Sequence, residues 1–247
     1  MNPALSSTMR TNIKKSGVNG LFVTGTDTGV GKTVITGCLA RYLLNKGYAA
    51  ITQKWVQSGC KGNFPPDIAA HLKAMARNKS YVKDYLHFVC PYKLRFPASP
   101  HLASRMENKR INPRRIIKSF KTLAQRFDFV IVEGTGGVMV PLDRRILLID
   151  LAQEAGLPVL VVAQNKLGAI NHTLLAIEAL RLRKMDILGI VFNNPQKEDA
   201  RIIKDNPRII GALTRENILG VLPWIEEPEK LYESFAPIAK KICKIQR

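Results

Sequence analysis

Short apolar runs alternate with amphipathic stretches along most of this chain. The apolar runs are typical of buried parallel strands and lie at 21–23, 49–53, 129–132, 158–163, 187–192 and 219–222. Between them, apolar residues recur at helical spacing over 32–46, 68–77, 113–126, 146–155 and 170–184. Strands that alternate with helices predict an α/β fold, a doubly wound and mainly parallel sheet with helices on both faces.

The remaining stretches do not divide the chain. Residues 85–100 carry three prolines and are predicted to form a loop. Residues 231–247 could form a basic amphipathic helix, interrupted by Pro237, that either docks on the domain or resembles a membrane anchor. We expect one domain over residues 20–247, preceded by a basic, disordered tail over residues 1–19.

A glycine-rich turn, Gly25 to Gly31, separates the first strand from the first helix. Backbone N–H groups, the helix dipole and the charge of Lys32 together make such a turn an anion site. The hydroxyl of Thr33 would then face Mg²⁺. The first glycine stands one residue earlier than in the usual GxxxxGK[ST] pattern. We interpret the turn as the phosphate loop of a P-loop NTPase-type domain.

Composition limits the possible partners and location. Lysine and arginine number 38 against 19 acidic residues, a formal charge of +19. These charges are spread along the whole chain without a nucleic-acid recognition pattern, so neither nucleic acid nor a membrane is a predicted partner. No apolar stretch approaches the ~18 residues that span a bilayer. The four cysteines lack paired spacing, which favours reduced thiols and a cytoplasmic protein.

Polar residues follow several of the predicted strands. Lys54 and Ser58 follow the second strand, Glu133 the third and Asn193 the fifth. The carboxyl ends of parallel strands meet at one edge, where ligands bind. Hard oxygen ligands from Thr33, Asp67 and Glu133 would suit Mg²⁺. Each residue also has an ordinary interpretation: a surface lysine, a solvated strand-end carboxylate, or, for Asp67, an acid at a helix N-terminus.

An ordered set of motifs resembles the dethiobiotin synthetases and covers about residues 20–230. The motifs are GTDTGVGKT at 25–33, Lys54-x-x-x-Ser58-Gly59, Ser99-Pro100-His101, Val132-Glu133-Gly134-x-Gly136-Gly137, Lys166-Leu167-Gly168-Ala169-Ile170-Asn171-His172 and Pro223-Trp224. The resemblance implies an ATP-dependent ligase of biotin biosynthesis. In that family 7,8-diaminopelargonate and CO₂ form a carbamate, which attacks the γ-phosphate. The second amine then closes the ureido ring, releasing ADP and phosphate.

The resemblance also assigns roles to residues. Lys54 and Lys32 would be catalytic, and Thr33, Asp67 and Glu133 would bind Mg²⁺. Residues implied to contact ATP are Gly29, Val30, Gly31, Lys32, Thr33, Val34, Asp67, Glu133, Gly134, Thr135, Gly136, Asn193, Asn194, Pro223, Trp224, Ile225 and Glu229. Residues implied to contact the diamine or its carbamate are Thr28, Ser58, Gly168, Ala169, Ile170 and Asn171.

The family is also dimeric, with its active site at the interface. The helix that begins near Gly168 would therefore receive the substrate carboxylate of the partner subunit. On the sequence alone, Asn171 could equally be an ordinary N-terminal cap of that helix. Trp55 stands where the family usually has proline, which could alter the loop between Lys54 and Ser58.

Three competing interpretations remain. A partitioning-type switch ATPase would bind DNA or membrane, but such proteins place a signature lysine where Thr26 stands. Cobyrinate-type amide synthetases share the ATP core but need a second domain that 247 residues cannot hold. An inactive nucleotide-binding relative would not need the full set of Lys32, Thr33, Lys54, Asp67 and Glu133.

Overall fold

The structure, a computed structural model, describes residues 20–194 and 198–245. Within them lie the strands β1 (Gly20–Gly25), β2 (Ala50–Lys54), β3 (Val56–Gln57), β4 (Tyr92–Lys93), β5 (Phe129–Glu133), β6 (Val159–Gln164), β7 (Ile187–Asn193) and β8 (Ile218–Leu222). Six of these form one parallel sheet in the order β2-β5-β1-β6-β7-β8, and β3 pairs with β4 apart from it. The predicted fold class is confirmed.

Helices connect and cover the strands. They are α1 (Lys32–Asn45), α2 (Pro66–Ala74), α3 (Leu86–Val89), α4 (Pro100–Met106), α5 (Pro113–Ala124), α6 (Leu148–Glu154), α7 (Ala169–Leu182), α8 (Ala200–Thr214) and α9 (Pro228–Ile245), with a 3₁₀ helix at Lys79–Tyr85. In the described part of the chain, none of them combines the length and the apolar character needed to cross a bilayer.

The strand order brings the polar strand ends together. β1 lies between β5 and β6, and β2 lies on the outer side of β5. The register sets Lys54 beside Glu133, and Glu133 beside Val23 of β1. The strands themselves are almost wholly buried, so their near-continuous apolar runs form the core. The phosphate loop, Lys54 and Glu133 therefore share one edge of the sheet.

Several stretches differ from the sequence-based expectation, and short elements such as α4 and β3 were not predicted. Residues 85–100 are not all loop, since they include α3 and β4. Helix α8 was not predicted, and it contains Pro207 in its interior. Helix α9 continues through Pro237, so the predicted interruption is wrong. An interior proline costs a helix about 3 kcal/mol. Both helices bury apolar faces, among them Ile210 on α8 and Phe235 on α9, and this packing outweighs the local preference.

The predicted basic tail, residues 1–19, and the chain end, residues 246–247, lie outside the described residues. The predicted helix at 231–247 is observed over its described part as the larger portion of α9. That helix packs against α1, β7 and β8. Its apolar face is therefore covered by the domain.

Candidate active site

The phosphate loop is shaped by glycines and by a side chain from a distant strand. Gly29 and Gly31 have positive φ angles of 76° and 102°, which side chains rarely adopt. A Cβ at Gly31 would lie 2.1 Å from the Nδ2 atom of Asn193. That amide donates to the backbone oxygen of Val30 at 3.0 Å. Asn193, predicted to contact adenine, thus also fixes the loop at the start of α1.

Lys32 lies buried beneath this loop. Its ammonium donates to the backbone oxygen of Asp27 at 2.7 Å. Burial, followed by the nearby charge of Lys54, lowers the pKa of Lys32 from 10.5 to about 8. A desolvated ammonium with a carbonyl partner would be stabilised by the negative charge of a phosphate.

Lys54 is the centre of a buried charge cluster. Its Nζ atom lies 2.8 Å from Glu133 Oε1, 2.8 Å from Asp67 Oδ2 and 2.7 Å from the backbone oxygen of Gly134. Burial lowers the pKa of Lys54, but the charges of Glu133 and Asp67 outweigh it, and the net pKa is raised. Lys54 is therefore a buried, charged ammonium and not a surface lysine.

Glu133 is held through both carboxylate oxygens. Thr33 Oγ1 donates to Oε1 at 3.0 Å, and the Nε2 atom of His71 lies 2.6 Å from Oε2. Burial raises the pKa of Glu133, but Lys54 and His71 reverse this and hold it well below its usual range. Glu133 is a charged carboxylate in a buried site, and the interpretation as a solvated strand-end acid does not apply.

The oxygen donors around Lys54 fit a hard divalent cation. Thr33, Asp67 and Glu133 offer one hydroxyl and two carboxylates, and two of the three contact the same ammonium. Mg²⁺ characteristically takes one or two carboxylates and keeps phosphates and waters as its other ligands. A closed cage of three or more His, Cys, Asp or Glu side chains does not occur in the described chain. The donor set suits a metal shared with a nucleotide rather than a fully protein-bound ion.

The predicted substrate residues lie on loops and at one helix start. Thr28 is exposed in the phosphate loop, and a Cβ at Gly136 would lie 3.6 Å from its hydroxyl. Ser58 is half-buried directly after β3. Gly168 is the N-cap of α7 with φ 86°, so Asn171 belongs to the first turn and is not the cap. Asn171 is exposed there.

The residues predicted to lie near adenine differ in their exposure and in their hydrogen-bond partners. Trp224 is 54% exposed after β8, and the buried Oδ1 atom of Asn194 has no hydrogen-bond partner among the described residues. Glu229 forms a two-pronged ion pair with Arg41 of α1, at 3.0 and 2.6 Å. The exposed carboxylate of Glu229 is therefore paired with a guanidinium from α1.

Trp55, which stands where the family usually has proline, packs inside the protein. Its side chain is fully buried, and its indole N–H donates to Gln53 Oε1 at 2.8 Å. The ring packs 5.3 Å from that of Phe22, and Phe22 in turn lies against Gly134, where a Cβ would meet it at 2.8 Å. Trp55 thus packs beneath the peptide that accepts the Lys54 ammonium.

Sequence reasoning gave no role to His71, which contacts Glu133. The available signal was its spacing, because it stands four residues after Asp67 on a predicted helix and so shares its face. A lone histidine on a helix is usually a core or surface residue, so spacing alone gave it no role. Its partner Glu133 lies far away in the sequence.

A parallel sheet with a glycine-rich phosphate loop after its central strand defines a P-loop nucleotide-binding protein. A family model described as an AAA domain matches residues 19–230. Among solved structures, a ParA family ATPase from Chlorobium tepidum aligns with TM-score 0.55 and 15% identity, covering 92% of this chain and 96% of that one. The MinC:MinD complex of Aquifex aeolicus gives TM-score 0.58, 14% identity and the same coverage. These likenesses show the fold alone.

Curated relatives identify the family. ATP-dependent dethiobiotin synthetase from Anaeromyxobacter sp. (strain K) is 42% identical, covering 86% of this chain and 92% of the relative. Those from Thermodesulfovibrio yellowstonii and Chlorobaculum tepidum are 38% and 40% identical, covering 85% and 83% of this chain and 91% and 85% of the relatives. The chain belongs to the dethiobiotin synthetase family, so the predicted resemblance and the predicted class of ATP-dependent ligase are confirmed.

Proposed function

We propose that this protein closes the ureido ring of dethiobiotin from 7,8-diaminopelargonate and CO₂, converting ATP to ADP and phosphate. The family relationship supports this reaction. The observation that carries it is the buried ammonium of Lys54, held 2.8 Å from each of two carboxylates beside the phosphate loop. Phosphoryl transfer depends mainly on such positioned charges.

The reaction divides into three balanced steps. One amine adds to CO₂ and loses a proton, which gives a carbamate. A carbamate oxygen forms a bond to the γ-phosphorus as the bond to ADP breaks, which gives a carbamic–phosphoric anhydride. The second amine then attacks the carbamate carbon and loses a proton, and phosphate leaves as the ring closes.

Two lysines act on these steps. Lys32 would bind the β- and γ-phosphates. Its ammonium would give up the hydrogen bond to the carbonyl of Asp27 and contact charged phosphate oxygens instead. Lys54 would orient the carbamate and stabilise charge on the phosphoryl group in transfer. Lys54 ends β2 next to Glu133 in the register, and β5 alone separates β2 from β1 and its loop.

Thr33, Asp67 and Glu133 are the residues that would hold Mg²⁺. When bound, the ion would offset the charge of the β- and γ-phosphates. The carboxylates of Asp67 and Glu133 neutralise the ammonium of Lys54. If a cation shared these two carboxylates, the ammonium would be free to contact the carbamate. The other predicted nucleotide contacts, including Asn193 and the segment from Pro223 to Ile225, complete the ATP site in this proposal.

The diamine end of the site would be shared between two subunits of a homodimer. Leu175 and Leu182 on α7 are 62% and 82% exposed, and Leu213 on the adjacent α8 is 58% exposed. Leu175 and Leu182 stand seven residues apart and therefore on one face of α7, and exposed apolar residues on one face suit a self-complementary interface. Gly168 to Asn171 would then offer backbone N–H groups to the substrate carboxylate, while Thr28 and Ser58 contact its diamine or carbamate. We place the protein in the cytoplasm.

The test is phosphate release from Mg·ATP and bicarbonate, with and without 7,8-diaminopelargonate. We expect release to require the diamine and to collapse in Lys54→Ala. Lys73→Ala, an exposed lysine on α2, is the matched control and should retain activity. Release that ignores the diamine but responds to DNA or anionic vesicles would refute the proposal and favour a switch ATPase.

A mixing experiment tests the shared site. Lys54→Ala and Asn171→Asp should each be inactive alone, because one removes the catalytic ammonium and the other repels the substrate carboxylate. Mixed subunits should regain activity, since a mixed dimer has one site that carries both native residues. Failure to regain activity in a demonstrated mixed dimer would place both residues in the same subunit's site.

A further inference from the structure

His71 lies deep between α2 and the sheet. Its side chain is fully buried, and its Nε2 atom is 2.6 Å from Glu133 Oε2. Helices α1 and α2 approach closely at Gly37, where a Cβ would lie 2.6 Å from the Cβ of Ala74 and 3.1 Å from the His71 carbonyl oxygen. This close packing sets the depth at which α2 presents the imidazole.

The hydrogen bond defines the tautomer of His71. Glu133 is a charged carboxylate and can only accept, so Nε2 carries the hydrogen and donates. The Nδ1 atom is buried and has no hydrogen-bond partner in the part of the chain that the structure describes. An unsatisfied buried polar atom costs about 1–3 kcal/mol. An apolar residue would avoid this cost, so core packing does not explain the imidazole.

The two oxygens of Glu133 have different partners. Oε1 accepts from Lys54 and Thr33, the residues that would meet a ligand, whereas among the described residues Oε2 has a hydrogen-bond partner only in His71. Asp67 and His71 stand four residues apart and therefore on one face of α2. One helix thus fixes the positions of both carboxylates, one directly and one through the imidazole.

We propose that His71 is a positioning residue that holds Glu133 with Oε1 directed towards the metal ion. The inference rests on the proposed function, because it concerns the Mg²⁺ that Thr33, Asp67 and Glu133 would bind. When Lys54 turns to the substrate, Oε1 loses its ammonium and keeps the hydroxyl of Thr33, which is itself a proposed metal ligand. His71 then remains as the partner of the carboxylate that would not also bind the metal. Outer partners of this kind typically change metal affinity or activity 10–100-fold when removed.

The experiment compares replacements of His71 by two amide side chains of different length. The Nε2 atom of glutamine lies the same number of bonds from Cβ as the Nε2 of histidine, so His71→Gln keeps a donor for Glu133. His71→Asn is shorter and loses it. ADP binding is measured by calorimetry with Mg²⁺ and with a chelator, alongside the Mg²⁺ dependence of phosphate release and thermal unfolding.

Wild type and His71→Gln should show a similar strengthening of ADP binding by Mg²⁺. His71→Asn should lose about 10–100-fold of that strengthening while its metal-free ADP affinity stays unchanged. The Mg²⁺ concentration for half-maximal activity should rise, with little change in KM for the diamine. Thr36→Val, which removes another buried unpartnered polar atom on α1, is the control and should respond to Mg²⁺ normally.

Two outcomes would overturn the inference. If His71→Asn weakens ADP binding equally with and without Mg²⁺, or if it behaves as wild type, His71 does not act through the metal. If wild-type ADP binding itself ignores Mg²⁺, the proposed metal site fails, and the role of His71 fails with it. The wild-type measurement therefore separates the two failures.

Discussion

The variant Lys54→Met tests whether a single ammonium balances the buried carboxylate at this site. The side chains of Lys54 and Glu133 are only 4% and 2% exposed. Methionine has a similar length but no charge, so it would leave Glu133 charged and buried. Removing one partner of a buried ion pair costs about 3–5 kcal/mol. Asp67 adds little, because its side chain is 26% exposed and solvent can screen it.

Urea and thermal unfolding at neutral pH measure this effect. For a chain of 247 residues the expected loss corresponds to a fall in melting temperature of roughly 10 °C. Adding Glu133→Gln to Lys54→Met should recover much of the lost stability, because no unpaired buried charge then remains. Both variants should be catalytically inactive. A loss below about 1 kcal/mol, or a double variant no more stable than the single one, would refute the reasoning.

Three further predictions concern the phosphate loop and the thiols. Gly31→Ala should weaken binding of a fluorescent ATP analogue at least about tenfold. Its φ is 102°, and the new Cβ would lie 2.1 Å from the amide nitrogen of the asparagine that ends β7. The control Gly47→Ala, also at positive φ but with no atom within 4 Å of the new Cβ, should bind the analogue normally. Lys32 has a folded-state pKa of about 8, below its ordinary 10.5, so the cost of keeping it protonated is fully present below pH 8 and is relieved as pH rises towards 10.5. Stability should gain from Lys32 over that range, and ATP binding at pH 8 should take up a proton, which calorimetry in two buffers detects; proton release would contradict this. Burial raises the pKa of Cys38 and Cys90 to about 12, so neither should react with a thiol reagent at pH 8 before the protein unfolds.

The central part of this fold could be predicted because its strands are buried on both faces. Such strands form continuous apolar runs. A polar residue that directly follows a run lies at the edge of the sheet where ligands bind. The meeting of Lys54 with Glu133 followed from that logic, and the register confirms that they are neighbours. Thr33 and Glu133 were predicted to lie at the same edge as Mg²⁺ ligands, but the hydrogen bond between them was not predicted.

Other features depend on long-range packing that a local pattern does not record. The buried face of α8 outweighs Pro207, although the sequence around that proline argues against a helix. The bond from Asn193 to the phosphate loop joins positions far apart in the chain. The role of His71 depends on how closely α2 approaches α1. Gly37 permits this close approach, but a glycine in the sequence does not predict it.

The central position of β1 has a consequence for synthesis of the chain. Gly20 pairs with Val130 and Phe22 with Val159, so both neighbours of the first strand are translated long after it. Pairings of this range form slowly, and a nascent chain emerges from its N-terminus. The phosphate loop is therefore made early but can take shape only after β6 is complete. Because a ligand stabilises only a state that can bind it, ATP would stabilise finished chains and leave partly synthesised ones without support.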